Sequence, residues 1–247
     1  MADVFDEKLQ NMRSGYGGYI SGSTLKWIAA LAMLSDHFSR FLFAPAGWCT
    51  SIVPFMKYFG RLAFPIYAFL LVEGFAHTSD AKKYSLRLFA FALLSELPYD
   101  LAFYHRWIYA GDQNVFFTLL LGLLMLMALE RLQTHPAALS LQLQAICGIL
   151  VIAAAAGLAW LLQADYSYAG IAVIALLYIL RSDRFRAIFG GSLALVVIYG
   201  SVEAPALISI LPVMLYNGRK GKGPKMLFYL IYPVHLLLLA ALAHLFL

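Results

Sequence analysis

Charged residues are scarce in this chain of 247 residues. Only 13% of the residues are charged and 62% are hydrophobic, whereas soluble domains carry about one-quarter charged residues. So little charge cannot cover the surface of a soluble globule of this length. The composition therefore predicts an all-α, polytopic integral membrane protein, because helices satisfy their backbone polar groups within the lipid.

Cysteines, repeats and polar linkers are also few or absent. Cys49 and Cys147 are too few for a disulfide framework and argue against redox chemistry. The polar N-terminus predicts no cleavable signal peptide, so the apolar run that starts near Leu25 is expected to remain as an anchor. The basic residues lie singly or in short runs between apolar segments, which argues against nucleic acid as a partner. We expect a polar tail at residues 1–20 and a single membrane domain at residues 21–247.

Apolar runs recur along the chain and predict about nine transmembrane helices, within a range of about eight to ten. The runs lie near residues 24–43, 55–76, 84–103, 114–132, 141–162, 167–180, 187–200, 204–216 and 226–246. The sixth to eighth runs are short, since roughly 14 residues of helix reach only about 21 Å. They are either tilted half-helices or, for two of them, a re-entrant pair.

The distribution of Lys and Arg predicts the orientation in the membrane. If the N-terminus is cytoplasmic, only Arg40, Lys57, Arg61 and Arg106 of the 18 basic residues lie outside. Cytoplasmic loops are enriched in Lys and Arg, so this bias favours a cytoplasmic N-terminus.

Ionisable residues that interrupt the apolar runs mark the candidate functional site, because a charge within a membrane is costly and usually faces a partner or a wet cavity. They are Asp36, His37, Arg40, Glu73, Glu96, Asp100 and His235. From Lys26 to His37 the helix rises by about 16 Å. The same rise per residue, counted from the basic residue near the end of each run, puts Glu73, Glu96 and His235 at a comparable depth in the membrane. Four helices thus each contribute an ionisable group near mid-membrane, which predicts one shared buried site.

His37 is the candidate catalytic residue. A neutral imidazole can accept a proton from an attacking amine or hydroxyl near neutral pH, although an interhelical hydrogen bond is the structural alternative. Asp36 points about 100° away from His37 on a helix, so it is expected to orient another group or to stabilise the imidazolium. Glu96 is a second candidate partner for His37.

The other polar residues have catalytic and structural interpretations that both stay open. Glu96 is either catalytic or the counter-ion of Arg40 or Arg61, and Glu73 fits a structural role better. His235, three residues after Tyr232 and beside Pro233, is either a ligand-binding histidine or one that satisfies a backbone carbonyl. Candidate donors to a developing oxyanion are Tyr229, Tyr232 and Asn114. No His-Glu-x-x-His spacing is present, so no metal site is predicted.

The segment YNGRKGKGPK at residues 216–225 is rich in glycine and basic residues. Its backbone N–H groups and charges suit the phosphates of a nucleotide-like ligand such as coenzyme A. The candidate cofactor-binding residues are Asn217, Arg219, Lys220, Lys222, Lys225 and Tyr229. The alternative interpretation is a positive-inside anchor that touches anionic lipid.

Several stretches together resemble the TraX family, named for the F-pilin acetylation protein. They are KWIAALAMLSDH (26–37), GRLAFPIYAFLLVEGFAHT (60–78), YSLRLFAFALLSELPYDLA (84–102), QNVFFTLLLGLL (113–124), ADYSYAGI (164–171) and LYNGRKGKGPKMLFYLIYPVHLLLL (215–239). The resemblance covers nearly the whole chain in order and implies a multi-pass protein of the bacterial inner membrane. It also implies an N-acetyltransferase that moves an acetyl group from acetyl-CoA to the N-terminal amine of pilin, within the wider transmembrane acyltransferase group.

By their position in the chain, Asp36 and His37 match the transfer site that the resemblance implies. Acetyl-CoA is expected to dock from the cytoplasm, while a pilin-like membrane peptide or an envelope glycan approaches from the membrane or the outer face. Direct transfer and a covalent acetyl-histidine relay both stay open, as does homodimer formation. The rival interpretation is a secondary transporter or flippase in which the mid-membrane Asp, Glu and His residues relay protons.

Overall fold

The computed structural model describes residues 17–47, 50–134 and 140–246, and this part of the chain is helical with no β-strand. The helices are α1 (Gly22–Phe38), α2 (Val53–Gly60), α3 (Ala63–Ala76), α4 (Ala81–Tyr104), α5 (Val115–Thr134), α6 (Leu141–Leu161), α7 (Ser167–Ile179), α8 (Arg184–Tyr199), α9 (Ile210–Met214) and α10 (Lys225–Phe246). A π-helical turn, Ser39–Phe43, extends α1, and a 3₁₀ helix, Ser201–Ser209, precedes α9. Most of the predicted tail and Cys49 lie outside the described residues.

Within the residues that the structure describes, four helical segments are long and apolar enough to cross a membrane. They are Val53–Ala76, Val115–Thr134, Leu141–Leu161 and Met226–Phe246, and Ser167–Ile179 and Ser201–Met214 are shorter apolar helices. Each predicted apolar run coincides with one of the helices or with a broken pair of helices. The first run is only 17 residues long as a continuous α-helix. The third run carries three charged residues, and its helix α4 carries five because it begins earlier, with Lys82 and Lys83.

The short segments between residues 167 and 216 form separate helices rather than extensions of their neighbours. The side chain of Asp183 caps α8 by accepting from the backbone N–H of Arg186, and Gly200 ends that helix at a positive φ of 84°. Helix α7 is buried on most of its length against α3, α5, α6 and α8, while α6 is largely exposed. The short helices therefore form part of the packed core.

Two backbone bridges identify the two ends of the bundle. Ile20 pairs with Tyr216, which brings the start of α1 to the loop before α10. Gln113 pairs with Ala164 at the opposite end, where α4 meets α5 and α6 meets α7. We call the first the basic end, since the segments 20–26, 77–87 and 214–225 meet there, and the second the far end.

Close helix contacts near the site depend on small residues. A Cβ atom on Gly60 would lie 2.4 Å from the Cβ atom of Asp36, so α1 and α2 touch where only glycine fits. Gly122 and Gly170 play the same role between α5 and α7, against Ile174 and Thr118. The contact at Gly60 fixes the height of Asp36 and His37 in the bundle.

Candidate functional site

A cavity of about 420 Å³ runs between the helices from the basic end towards His37. At the basic end it is lined by Lys26, His77, Arg87 and Lys220, which come from the three segments that meet there. Its deeper walls are largely aromatic or apolar, and its inner end carries Asp36, His37, Gly60, Asp165 and Tyr166. The cavity thus joins a cationic mouth to the histidine that the sequence singles out.

His37 forms a hydrogen bond with His235, a residue 198 positions further along the chain. Nδ1 of His37 lies 2.7 Å from Nε2 of His235, and the two ring planes differ by only 12°. Nδ1 of His235 lies 2.7 Å from the carbonyl oxygen of Ile231. A carbonyl only accepts, so Nδ1 of His235 carries the proton and Nε2 of His235 accepts from Nδ1 of His37.

This assignment of protons leaves Nε2 of His37 as an unprotonated acceptor. His37 lines the cavity, whereas His235 is only 6% exposed and lies behind it. The rings of Phe41, Phe103 and Tyr232 surround His37 with centroids at 5.8 to 6.3 Å, which restricts the orientation of its imidazole. The arrangement is that of a general base whose tautomer is fixed by a second histidine.

Asp36 pairs with Arg40 rather than with His37. Oδ2 of Asp36 lies 3.3 Å from Nη2 of Arg40, one helical turn further on. Oδ1 of Asp36 is buried and has no hydrogen-bond partner within the described residues. The expectation that Asp36 orients a group other than His37 therefore agrees with this geometry, and that group is Arg40.

Glu96 does not reach His37, because its carboxylate is bound to Asn114. The side-chain amide of Asn114 donates to Glu96 and also to the carbonyl of Ala92, at 2.8 Å. Its oxygen accepts from the N–H of Phe116, at the start of α5. Glu96 and Asn114 thus join α4 to α5, and the amide of Asn114 has no donor left for an oxyanion.

The expected pairing of Glu96 with Arg40 or Arg61 is also replaced by other contacts. Nη1 of Arg61 lies 2.8 Å from Oε1 of Glu203, whose side chain is 5% exposed. Asp100 is 2% exposed and accepts from the N–H of Tyr109 at 2.8 Å, so it organises the loop at the far end. These acidic groups stabilise connections between segments instead of meeting at His37.

Glu73 and the cavity tyrosines occupy distinct positions along the cavity. Glu73 lies at the basic end, where the Tyr216 hydroxyl bonds to it and His77 lies 3.9 Å away. Tyr229 lies near the guanidinium group of Arg87, and the hydroxyl of Tyr232 lies near the backbone N–H of Val115. Within the described residues, no three His, Cys, Asp or Glu side chains cluster as metal ligands would.

The glycine-rich loop uses its carbonyl groups to hold the start of α1. The carbonyls of Arg219 and Lys220 accept from the backbone N–H groups of Gly22 and Ser23, at 2.8 and 2.9 Å. Gly221 has a φ of 75°, and a Cβ atom there would meet the Ser21 side chain at 2.2 Å. The loop therefore packs on the start of α1 through these carbonyls and through the close approach at Gly221.

Only part of the predicted cofactor-binding set faces the cavity. Lys220 and Tyr229 line it, whereas Asn217, Arg219 and Lys222 do not. The side-chain oxygen of Asn217 accepts from the N–H of Arg219 at 3.0 Å and so shapes the loop. The side chain of Lys225 lies outside the described part of the structure.

Several residues that line the cavity were not assigned to the site from the sequence. Lys26 and Arg87 were interpreted only as charges that set the orientation, and Tyr67, Asp165 and Tyr166 were not singled out. Lys26 and Arg87 each stand near the start of a predicted apolar run, about 16 and 13 Å from the ionisable group within that run. That shared spacing could have identified them.

Asp165 lies at the far end, between α6 and α7, and is partly buried at the inner end of the cavity. Burial is the main cause that raises its pKa to about 6, and the neighbouring carboxylates of Asp112 and Asp36 act in the same direction. The Tyr166 backbone N–H and the charge of Arg40 oppose this shift. Asp165 is therefore a carboxyl group that titrates close to neutral pH.

Comparisons with known proteins agree with the resemblance. Residues 21–243 match the model of the family described as TraX protein. The chain is also 30% identical, over 244 residues, to a probable fimbrial assembly protein FimC, serogroup H1, of Dichelobacter nodosus. That alignment covers 90% of this chain and 95% of the relative. No solved structure matches the chain. A family match over nearly the full length, with a relative that aligns from end to end, shows that this protein belongs to the TraX family.

Proposed function

We propose that this protein is an acyltransferase of the bacterial inner membrane that moves an acetyl group from cytoplasmic acetyl-CoA to an amine or hydroxyl acceptor. The observation that carries the proposal is the hydrogen-bonded chain from His37 through His235 to Ile231, at the inner end of a cavity with a cationic mouth. Membership of the TraX family and the four long apolar helices support it.

The proposed topology is multi-pass with a cytoplasmic N-terminus. The basic end gathers Lys26, Arg87, Lys220 and the segment from Arg181 to Arg184, while the far end carries few basic residues. Because Lys and Arg concentrate on the cytoplasmic side, the basic end faces the cytoplasm. Acetyl-CoA therefore enters the cavity from the side of the membrane where it is available.

The cationic mouth fits the phosphates of the donor. Lys26, Arg87 and Lys220 come from three segments and surround one opening, where their charges reinforce one another. Lys26 is about 16 Å along α1 from His37, a distance that the extended pantetheine arm of CoA has to bridge. The phosphates stay at the mouth while the thioester reaches the histidine.

The chemistry follows from the free Nε2 atom of His37. An amine or hydroxyl attacks the thioester carbonyl carbon and gives its proton to this nitrogen, and the C–S bond then breaks. The proton passes from His37 to the departing thiolate, so the products are the acetylated acceptor and CoA. His235 holds the imidazole in the reactive tautomer and stabilises the imidazolium that forms, as the third member of a catalytic triad does.

The acceptor proposed from the family is a pilin-like peptide with a free N-terminal amine. The relative from Dichelobacter nodosus bears the name of a probable fimbrial assembly protein, which supports an acceptor related to pilin. Acetylation adds about 42 Da to the acceptor, a change that mass spectrometry of a co-expressed membrane peptide detects. An envelope glycan with the same mass increase would point to the hydroxyl alternative.

The proposal is tested by following free CoA thiol in purified protein in nanodiscs supplied with acetyl-CoA and a peptide amine. Wild-type protein should release CoA, and His37→Ala should lower the rate by about 10²-fold or more, as expected when a general base is lost. His244→Ala is the matched control, because His244 is exposed in the last turn of α10. A transporter with a proton relay would release no CoA, and equal rates in wild type and His37→Ala would overturn the proposal.

A further inference from the structure

The tyrosines of the cavity differ in whether their hydroxyl groups already have partners. Six of the described tyrosines line it. The Tyr216 hydroxyl bonds to Glu73, Tyr166 and Tyr229 lie near the guanidinium groups of Arg61 and Arg87, and Tyr232 lies near the backbone of Val115. Tyr67 and Tyr84 have no hydrogen-bond partner within the described parts of the chain. Of these two, Tyr67 lies further from the basic end, so its hydroxyl group is available to a ligand that reaches into the cavity.

Tyr67 lies between the mouth of the cavity and His37. Helix α3 begins at Ala63, just after the point where Gly60 touches Asp36, and Tyr67 follows Ala63 by about 6 Å along the helix. Glu73, which stands at the basic end, is about 9 Å further on. A thioester that approaches His37 from the mouth has to pass this level of the cavity. Tyr84, in contrast, lies at the basic end beside Gly74.

The Tyr67 hydroxyl opens on the cavity and has no acceptor among the described residues. A carbonyl oxygen that arrives there meets a donor that no protein group already occupies. The neighbouring side chains on α3 are apolar, so the group is presented to the cavity in a medium where hydrogen bonds to a developing charge are strong. These properties are the ones that an oxyanion donor needs.

We infer that Tyr67 is a catalytic residue that donates a hydrogen bond to the thioester carbonyl oxygen as negative charge develops on it. The inference rests on the proposed acyl transfer. When the acceptor attacks the carbonyl carbon, the electron pair of the C=O bond moves to the oxygen, and Tyr67 holds this oxygen without giving up its proton. The pair then returns as the C–S bond breaks, and the proton taken by His37 goes to the thiolate.

The first test is the kinetics of Tyr67→Phe, which removes only the hydroxyl oxygen. Loss of one oxyanion donor should lower kcat by about 10²-fold. The KM for acetyl-CoA should change little, since the phosphates bind at the mouth. Tyr84→Phe makes the same chemical change in the same cavity, at a residue without a hydrogen-bond partner, and should keep kcat within about twofold. A Tyr67→Phe enzyme with the wild-type kcat, or a loss of kcat in Tyr232→Phe alone, would overturn the inference.

The second test detects the hydrogen bond between Tyr67 and the thioester carbonyl by infrared spectroscopy, and it does not require turnover. In the His37→Ala background, bound acetyl-CoA labelled with ¹³C at the carbonyl carbon should show an infrared carbonyl band at lower frequency than in water-free solvent. Adding Tyr67→Phe should move the band back to higher frequency, and adding Tyr84→Phe should leave it in place. A residue that only supports the fold would not shift this band.

The two proposals fail in different ways. If wild-type protein releases no CoA in a manner that depends on His37, the acyltransferase proposal fails. If wild type is active and loses activity with His37→Ala, while Tyr67→Phe changes neither kcat nor the carbonyl band, only the role of Tyr67 fails.

Discussion

Replacing His235 by leucine isolates the contribution of the histidine pair. Nε2 of His235 accepts from His37 at 2.7 Å, and His235 is buried behind the cavity wall, so the change removes an acceptor without altering the surface that a substrate touches. Nδ1–H of His37 then has no partner, which costs about 1 to 3 kcal/mol for a buried donor. The imidazole can also adopt the other tautomer, in which Nε2 is protonated and cannot accept.

The expected loss appears in kcat. At about 1.4 kcal/mol per factor of ten, a cost of about 1 to 3 kcal/mol corresponds to a rate between roughly 5 and 150 times slower. The KM for acetyl-CoA should stay near the wild-type value, because the donor phosphates bind about 16 Å away. His235→Gln should retain more activity than His235→Leu, since its amide oxygen can still accept from His37.

The assay is CoA release at saturating acetyl-CoA in nanodiscs, with thermal unfolding of each variant measured in parallel. His244→Leu is the control, since His244 belongs to the same helix but is exposed in its last turn. A wild-type kcat in a folded His235→Leu protein would refute the argument that His235 fixes the tautomer. A change confined to KM would refute it equally.

Further predictions concern packing and charge. Gly60→Ala should lower Tm by several degrees or prevent folding, because its Cβ atom would overlap the adjacent helix, whereas Gly157→Ala, with nothing within 4 Å, should leave Tm unchanged or raise it. Glu203→Gln leaves the partly buried charge of Arg61 without this counter-ion and should destabilise the protein by about 1 to 3 kcal/mol in denaturant unfolding. Burial raises the pKa of Asp165 from 3.8 to about 6, so stability should fall as pH rises from about 4 to 6, and Asp165→Asn should remove that part of the pH dependence.

The helices could be predicted from the sequence because both the outward-facing and the core-facing residues of these helices are largely apolar. The limits of the predicted runs therefore follow the observed helices closely, as with 141–162 against Leu141–Leu161. The interruptions could not be predicted, since hydropathy does not record the register of backbone hydrogen bonds. The π-helical turn Ser39–Phe43 and the break between Gly60 and Ala63 both fall in runs that are continuous in composition.

The position of each site residue along its helix could be predicted from the sequence. The direction in which its side chain points around the helix axis could not. The rise per residue puts His37, Glu96 and His235 at comparable depth, and the structure joins His37 to His235. Equal depth does not say which side chain faces which, so Glu96 was an equally good candidate but instead binds Asn114. Arg61 and Glu203 are 142 positions apart, and their pairing follows from the arrangement of the helices.

The hydrogen-bonded chain that begins at His37 ends at a backbone carbonyl, that of Ile231. An amide oxygen has no proton of its own to pass on, so a proton that enters the histidine pair from the cavity has no route out on the other side. It has to leave through the nitrogen by which it arrived. A chain that ends in this way does not suit proton transport across a bilayer, whereas in the proposed acyl transfer it returns each proton to the departing thiolate.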